Sequence, residues 1–140
     1  MIKDVIACTV QLLPTLHAQL ALSRNGTAKA IEVLQAAGPH ELGNVGYFAL
    51  HPVYVRGQAY LAANQGSEAA VEFQQILDHR GVVVNGPIGV LAPVGLARAY
   101  AMQGDTEKAK AAFQDFLTLW KDADPDIPIL KEAKAEYAKL

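Results

Sequence analysis

The residues that could bind a zinc ion are few and scattered. His40 and Glu41 match the start of a zinc-protease motif, but Asn44 stands where that motif requires a second histidine. Zinc sites need cysteines or histidines at short, regular spacing, and Cys8 is the single cysteine of the chain. The sequence therefore predicts no zinc site, and it predicts that Cys8 is packed rather than reactive.

Three alternating carboxylates near the C-terminus match the opening of a calcium-binding loop: Asp122, Asp124 and Asp126. Pro125 interrupts the loop, and Ala133 stands where a calcium loop closes with glutamate. We therefore expect no calcium site, and we expect Asp126 to cap the helix that follows it.

Glycines at positions 81, 86 and 89 flank a short run of valines. A phosphate-binding loop would also need a Lys–Ser/Thr pair to hold phosphate and magnesium, and that pair is missing here. We expect no bound nucleotide and no other cofactor.

Asp78, His79 and Arg80 bring an acid, a base and a cation together in one short stretch. Neighbouring residues on a helix point in different directions, so Asp78 and His79 cannot face each other as a catalytic pair. No Gly-x-Ser-x-Gly motif supplies a nucleophile elsewhere. We predict no catalytic residues and a protein that is not an enzyme. Asp78 and Arg80 are expected to brace the following connection against a neighbouring helix, with Arg80 bonding helix-end carbonyls.

Length and composition exclude several classes of protein. The 140 residues fit one domain, 1–140, and half of them are apolar (51%). A formal charge of −2 provides no basic surface for nucleic acid. No apolar run approaches the roughly 20 residues of a membrane-spanning helix, and the N-terminus is not typical of a signal peptide. Together with the single cysteine, these features favour the cytoplasm and predict no membrane contact.

Helical periodicity dominates the chain, and alternating strand patterns are almost absent. The predicted helices cover about 4–23, 28–37, 51–64, 67–79, 88–103, 106–121 and 127–139. Ser67 and Asp105 are placed to cap the helices that follow them, and Pro14 is expected to kink the first helix or to mark its true start. The connections 38–46 and 79–87 are longer than a tight hairpin needs, and the second is expected to be a loop whose valines pack on the helices.

A five-residue pattern occurs twice, 40 residues apart. Tyr, Ala, Phe, Gln and Leu occupy positions 60, 69, 73, 74 and 77, and again positions 100, 109, 113, 114 and 117. A small residue precedes each tyrosine by three positions, and it allows two antiparallel helices to approach closely. A weaker third unit has Ala30 at the alanine position and Ala21 at the tyrosine position. The chain is therefore expected to be a stack of similar helical hairpins.

This pattern resembles the tetratricopeptide repeat, a helix–turn–helix unit of about 34 residues. The resemblance implies an all-α, right-handed solenoid of three hairpins at about 4–37, 51–79 and 88–121, with a capping helix at about 127–139. Equivalent alanines stand at positions 30, 69 and 109, a spacing of 39 and then 40 residues. The longer period predicts that the two long connections are inserted between hairpins.

Three further stretches resemble the C-terminal repeat region of bacterial multidomain signalling proteins that begin with a serine/threonine kinase or winged-helix domain. They are Tyr54–Gly57, Ile76–Gly81 and Trp120–Pro128. This resemblance implies a non-catalytic protein–protein interaction module of a bacterial signalling or regulatory system. The alternative is a ligand- or peptide-sensing domain that regulates an attached kinase or DNA-binding effector. A deep closed pocket under residues 38–50 would favour the sensor, and an open concave face would favour the interaction module.

In tetratricopeptide proteins the first helices of successive hairpins line a concave surface that binds a partner. The resemblance places the partner-binding positions of this chain at Thr15, Gln19, Tyr54, Gln58, Leu91, Val94 and Arg98. Some relatives hold a terminal carboxylate of a peptide with paired lysines and asparagines, which these positions lack. We expect a groove for a protein segment or peptide with mixed apolar and polar contacts. The alternative is that these residues contact only solvent or the capping helix.

The N-terminal stretch is apolar and has no polar capping helix before it, with Ile2, Val5, Ile6, Val10 and Leu13 as its apolar residues. The open end of a solenoid exposes its core. This end is therefore expected to contact either the rest of a larger protein or a second copy of the chain. We predict a homodimer that forms through residues 2–13.

Overall fold

The computed structural model describes residues 7–35, 38, 49–83 and 86–140. Within these ranges every regular element is helical, which confirms the predicted all-α class. A π-helical segment, Ala7–Leu12, comes first. The α-helices that follow are α1 Leu13–Ser23, α2 Thr27–Gln35, α3 His51–Ala62, α4 Gly66–Asp78, α5 Arg80–Val83, α6 Pro87–Met102, α7 Thr106–Leu119 and α8 Pro128–Tyr137. The predicted connection 38–46 lies outside the described residues except for Gly38.

The first predicted helix, 4–23, is divided in the structure, and its residues 4–6 lie outside the described part. Pro14 stands in the first turn of α1, where its missing N–H leaves no helical bond unmade. Further inside a helix the proline ring would clash with the carbonyl four residues earlier, so the regular α-helix begins only at this point. The Thr15 hydroxyl donates to the Gln11 carbonyl at 2.6 Å and joins the π-helical segment to α1. Pro14 therefore marks the start of the α-helix.

The connection after α4 contains a short helix that was expected to be a loop. Val83 is 1% exposed and packs with Ile88 in the core between the second and third hairpins. The helical turn satisfies backbone groups locally, since Val82 N–H donates to the His79 carbonyl and Gly86 N–H to the Val83 carbonyl. The valine packing agrees with the prediction, and the loop assignment was wrong.

Three tight turns join the helix pairs α1–α2, α3–α4 and α6–α7, and their geometry is the same. Each contains one residue with positive φ: Asn25 at 60°, Asn64 at 58° and Gly104 at 78°. Each also has a bond from the next N–H to a carbonyl five residues earlier: Gly26 to Ala21 at 2.8 Å, Gln65 to Tyr60 at 2.9 Å and Asp105 to Tyr100 at 3.0 Å. This is the Schellman end of a helix, for which glycine and asparagine are the preferred left-handed residues. The three turns recur at intervals of 39 and 40 residues.

The aromatic ring of Phe73 fills the space between α3 and α6, and glycines line that space. A Cβ atom would lie 2.8 Å from the ring at Gly57 and 2.5 Å from it at Gly95. Tyr54 completes the arrangement with an edge contact to Phe73, ring centroids 5.8 Å apart. Glycine is therefore needed on both sides of this ring because no side chain fits there.

A buried ion pair joins the two helices of the second hairpin, and its arginine also reaches the first hairpin. Arg56 of α3 donates to both carboxylate oxygens of Glu72 on α4, at 2.8 and 2.6 Å. The same guanidinium donates to the Leu34 carbonyl at the end of α2, at 3.2 Å. Terminal helix carbonyls lack partners inside their own helix, so this bond satisfies one of them and holds α2 against α3.

Candidate partner-binding face

The first helices of the three hairpins lie next to one another. α1 contacts α3, and α3 contacts α6. We define the first-helix face as the accessible surface around Tyr54 and Gln58 of α3 and Arg98 of α6. These three residues were predicted to bind a partner, and the structure brings them together.

Tyr54 forms the partly buried floor of the first-helix face. Its ring packs on Phe73, and its hydroxyl shares a hydrogen bond with the exposed side chain of Gln58. Burial raises the pKa of the Tyr54 phenol, and the nearby charge of Arg98 and the bond from Gln58 oppose that rise. The phenol is therefore neutral near pH 7, and it can both donate and accept hydrogen bonds.

Arg98 forms the charged edge of the face and is bound to α8. Its Nε lies 2.9 Å from Oε2 of Glu136, and its Nη2 lies 2.7 Å from Oε1 of the same carboxylate. Nη2 also donates to Glu132 at 3.1 Å. The hydrogen bonds to Glu136 raise the pKa of Arg98 further, against the effect of burial. Within the described residues Nη1 makes no hydrogen bond, so its two N–H groups remain for water or a ligand.

The other predicted partner-binding residues divide by exposure. Thr15 is 4% exposed and Val94 is 2% exposed, so their side chains offer a partner almost no surface. Val94 packs instead in the core of the third hairpin. Gln19 is exposed on α1, and Leu91 is half-buried on α6. The accessible residues of the predicted set are therefore Gln19, Tyr54, Gln58, Leu91 and Arg98.

The predicted self-association stretch lies mostly beyond the described side chains. Ile2, Val5 and Ile6 fall outside the described residues. Val10 is half-buried, and Leu13 is 42% exposed. Two further leucines of α1, Leu16 and Leu20, are about half exposed and were not part of the prediction.

Asp78 and Arg80 were expected to brace the connection after α4 against another helix. The structure shows Asp78 accepting a hydrogen bond from Gln74 of its own helix at 2.8 Å. The Nδ1 atom of His79 lies 2.9 Å from the Gln75 carbonyl, also within α4. Residues four positions apart lie on the same face of a helix, so this contact of Asp78 is local to α4. The bracing role predicted for Asp78 is therefore wrong.

A shallow open groove of about 380 Å³ runs along α4 and reaches Tyr100 of α6. Its lining residues are Ala70, Val71, Gln74, Gln75, Asp78, His79 and Tyr100. Its floor is apolar, and His79 and Asp78 are adjacent in sequence rather than opposed across the groove. We find no arrangement of an acid, a base and a nucleophile among these lining residues.

Asp126 does not cap α8. The residue at the cap position is Ile127, and no side chain bonds to the first helical amides there. Asp126 instead lies 2.7 Å from the Lys131 ammonium, and its N–H donates to Asp124 at 2.9 Å. In the described ranges no three His, Cys, Asp or Glu side chains come together in a group that could hold a metal ion.

Comparison with known proteins identifies no relative: no protein-family model matches the chain, and neither a curated protein nor a solved structure is significantly similar to it. Among the described residues no helix is long and apolar enough to cross a membrane. The function therefore has to be inferred from the hairpins and from the first-helix face.

Proposed function

We propose that the chain is a non-catalytic protein-interaction module of the tetratricopeptide type, which binds a peptide or a protein segment on the first-helix face. The observation that carries this proposal is the recurrence of one turn geometry at Asn25, Asn64 and Gly104. Identical turns at near-equal intervals are what a helical repeat protein requires, because each hairpin must present the same surface to the next. In such proteins the stacked helices form an extended surface that serves as a binding site.

The spacing between equivalent turns supports the same proposal once the long segments between the hairpins are taken into account. Equivalent turns are 39 and 40 residues apart, against about 34 in a regular tetratricopeptide repeat. Residues 36–50 and 79–86 lie between the hairpins, and they account for the residues beyond the regular repeat length. Insertions between hairpins leave the helix pairs themselves unchanged.

The chemistry of the first-helix face is that of recognition. Gln58 supplies an amide that can both donate and accept, the Tyr54 phenol is neutral, and Arg98 keeps two N–H donors. A peptide backbone needs donors and acceptors of this kind, and the half-buried Leu91 on the same helix as Arg98 adds apolar area. We assign the module to a cytoplasmic bacterial signalling protein, on the resemblance carried by Tyr54–Gly57 and the two stretches after it.

The test is selection of peptides on the immobilised protein from a displayed random library. The selected peptides are then measured on a face variant, Tyr54→Phe with Gln58→Ala, in which the Tyr54 ring still packs on Phe73. A matched control, Glu68→Ala with Asp115→Ala, changes exposed residues of α4 and α7. We expect the face variant to bind about thirtyfold more weakly, since two lost hydrogen bonds at about 1 kcal/mol each cost about 2 kcal/mol together.

The proposal fails if the library yields no peptide above background. It also fails if the selected peptides bind the face variant as tightly as the unmodified protein, or if the control variant loses as much affinity as the face variant. Circular dichroism of both variants excludes unfolding as the cause of a loss.

A further inference from the structure

The first helices of the three hairpins carry almost no charge. Helices α1, α3 and α6 contain no Asp, Glu or Lys, and their arginines are Arg56 and Arg98. The second helices α2, α4 and α7, by contrast, carry at least two charged residues each. Arg56 is 7% exposed and is paired with Glu72. The charge that the first-helix face presents to a partner therefore depends on Arg98 and on the groups that surround it.

Two carboxylates of α8 surround the guanidinium of Arg98. Glu136 accepts hydrogen bonds from Nε and Nη2, and Glu132 accepts another from Nη2 at 3.1 Å. One positive and two negative formal charges leave this group with a net charge of −1. The edge of the first-helix face at which Arg98 stands is therefore acidic, although the face itself contributes only a cation.

No lysine of the described chain pairs with these two glutamates. Lys131 of α8 is bonded instead to Asp126 at 2.7 Å. Lys134 stands two residues from each glutamate, which is about 200° around the helix, so it points away from both. Lys139 is exposed beyond the end of α8 and forms no ion pair with either of them. The excess negative charge therefore remains available to a partner.

The two glutamates differ in what they can still bind. The side chain of Glu136 is 33% exposed, and both of its carboxylate oxygens are bonded to Arg98. The side chain of Glu132 is 58% exposed, and its Oε1 makes no hydrogen bond with the described residues. An ionised carboxylate only accepts hydrogen bonds, so a group that binds Oε1 has to be a donor. Glu132 is therefore the carboxylate that can bind a cation of a partner.

Arg98 is a poor site for an acidic partner. Its Nε and Nη2 are both bonded to Glu136, so this side of the planar guanidinium is already occupied by a carboxylate. An acidic side chain brought to Nη1 would also approach the two glutamates, and like charges brought together at an interface disfavour binding. Nη1 therefore suits a neutral acceptor such as a peptide carbonyl.

We propose that the first-helix face selects a basic peptide segment, whose Lys or Arg side chain pairs with Glu132 while its backbone bonds Tyr54, Gln58 and Nη1 of Arg98. Arg98 connects the two parts of this surface, because it is bonded to Glu132 and its charge also acts on the Tyr54 phenol. Glu132 is the residue that determines the charge of the accepted peptide. This inference rests on the proposed function, since it names the kind of peptide that the face binds.

The first experiment examines the composition of peptides selected from a displayed random library. On the unmodified protein we expect Lys and Arg to be enriched, and Asp and Glu to be depleted, relative to the unselected library. Glu132→Gln removes the excess charge and leaves the pair of Arg98 with Glu136 in place, so selection on this variant should lose the bias. Glu68→Gln removes an exposed carboxylate of α4 and is the matched control, which should keep the bias.

The second experiment tests the contact itself with synthetic copies of one selected peptide, measured by titration calorimetry. Replacing the contacting Lys or Arg by Gln, or making Glu132→Gln in the protein, should each weaken binding about fivefold, the upper value for an exposed ion pair. The two changes together should cost little more than either one alone. Glu132→Lys should reverse the preference and favour a peptide with Glu at that position. Circular dichroism of the variants excludes unfolding.

The possible failures separate this inference from the proposed function. Selected peptides without enrichment of Lys and Arg would overturn the inference and leave the proposed function intact. An enrichment that persists on Glu132→Gln, or additive effects of the two replacements, would do the same. A library that yields no peptide would overturn the proposed function and this inference with it.

Discussion

Arg98 binds Glu136 across 38 residues of sequence through two parallel hydrogen bonds, and this pair joins α6 to α8. A second polar contact joins α7 to α8, since the Gln114 amide of α7 donates to the Tyr137 hydroxyl at 2.8 Å. The buried side chains of α8 are Leu130 and Ala133. Polar contacts beside the first-helix face therefore help to hold the C-terminal helix against α6 and α7.

Removal of Arg98 is expected to loosen α8. Arg98→Ala should lower the free energy of unfolding by about 1 kcal/mol, because the pair is partly exposed and solvent weakens it. Relative to the unmodified protein, amide hydrogen exchange in the Arg98→Ala variant should accelerate more in α8 than in α3 or α4. A double-mutant cycle with Glu136→Gln measures the coupling, and Lys131→Ala, which removes an exposed pair with Asp126, is the control. Additive effects of Arg98→Ala and Glu136→Gln would contradict the assigned role.

The glycines around Phe73 should be intolerant of even one methyl group. A Cβ atom at Gly95 would lie 2.5 Å from the ring, so Gly95→Ala forces the packed aromatic side chain to move. Overpacking of this kind costs about 1–3 kcal/mol, which exceeds the gain of up to about 1 kcal/mol in helix propensity. Urea unfolding should show a net loss of stability.

Gly81→Ala is the matched control for that experiment, because no atom lies within 4 Å of a Cβ placed there. It should be neutral or slightly stabilising. Phe73→Leu in the Gly95→Ala protein should cost less than in the unmodified protein, since the smaller side chain leaves room for the methyl group. A Gly95→Ala protein of unchanged stability would show that the ring moves freely.

The helix positions were predictable because the signals that set them are local. Asp105 accepts a hydrogen bond from Lys108 N–H, as its position before a helix predicts. Ser67 was also expected to be a cap, but α4 starts one residue earlier and the Ser67 hydroxyl contacts Gln103 at 3.4 Å instead. A serine near a helix start has several possible partners, and tertiary contacts decide which one it meets.

The candidate site was less predictable because its contacts are not local. Tyr54, Gln58 and Arg98 followed from the repeat alignment, but the bond from Arg98 to Glu136 depends on where α8 packs. The exposure of Leu16 and Leu20 was missed for a different reason. Helix α1 carries apolar residues on two opposite sides, so its sequence gives no single apolar stripe to separate its packed side from its accessible side.

Asp105 should make stability depend on pH in the acid range. The hydrogen bond from the Lys108 side chain holds the pKa of the Asp105 carboxyl below its ordinary value of 3.8. The unfolded state therefore takes up a proton first as pH falls. The stabilisation is present above the unfolded pKa and is lost as pH falls through the folded pKa. The pKa of Lys108 is raised by Asp105, so the contribution of its ammonium is lost only as pH rises through the folded pKa above 10.5.

Asp105→Ala tests this assignment. The variant should melt at a lower temperature than the unmodified protein at pH 7. The difference should shrink as pH falls below the unfolded pKa near 3.8 and through the lower folded pKa, because the carboxylate is protonated in both states only below the folded value. Asp115→Ala, which changes an exposed aspartate of the same helix, should show neither effect. A melting difference for Asp105→Ala that stays constant from pH 7 to pH 2 would exclude an ionised cap.

Removing one residue of the Arg56–Glu72 pair should lower the free energy of unfolding more than replacing both residues with apolar ones. Glu72→Ala leaves a guanidinium that is 7% exposed without its carboxylate, and such a loss costs about 3–5 kcal/mol. Replacing both residues, as Arg56→Met with Glu72→Leu, removes both charges and fills the same space, so the double variant should unfold at higher urea concentration than Glu72→Ala. Lys29→Ala, which removes an exposed pair with Glu32, should change stability by less than about 1 kcal/mol. A double variant less stable than Glu72→Ala would show that the bond from Arg56 to the Leu34 carbonyl contributes more stability than the ion pair.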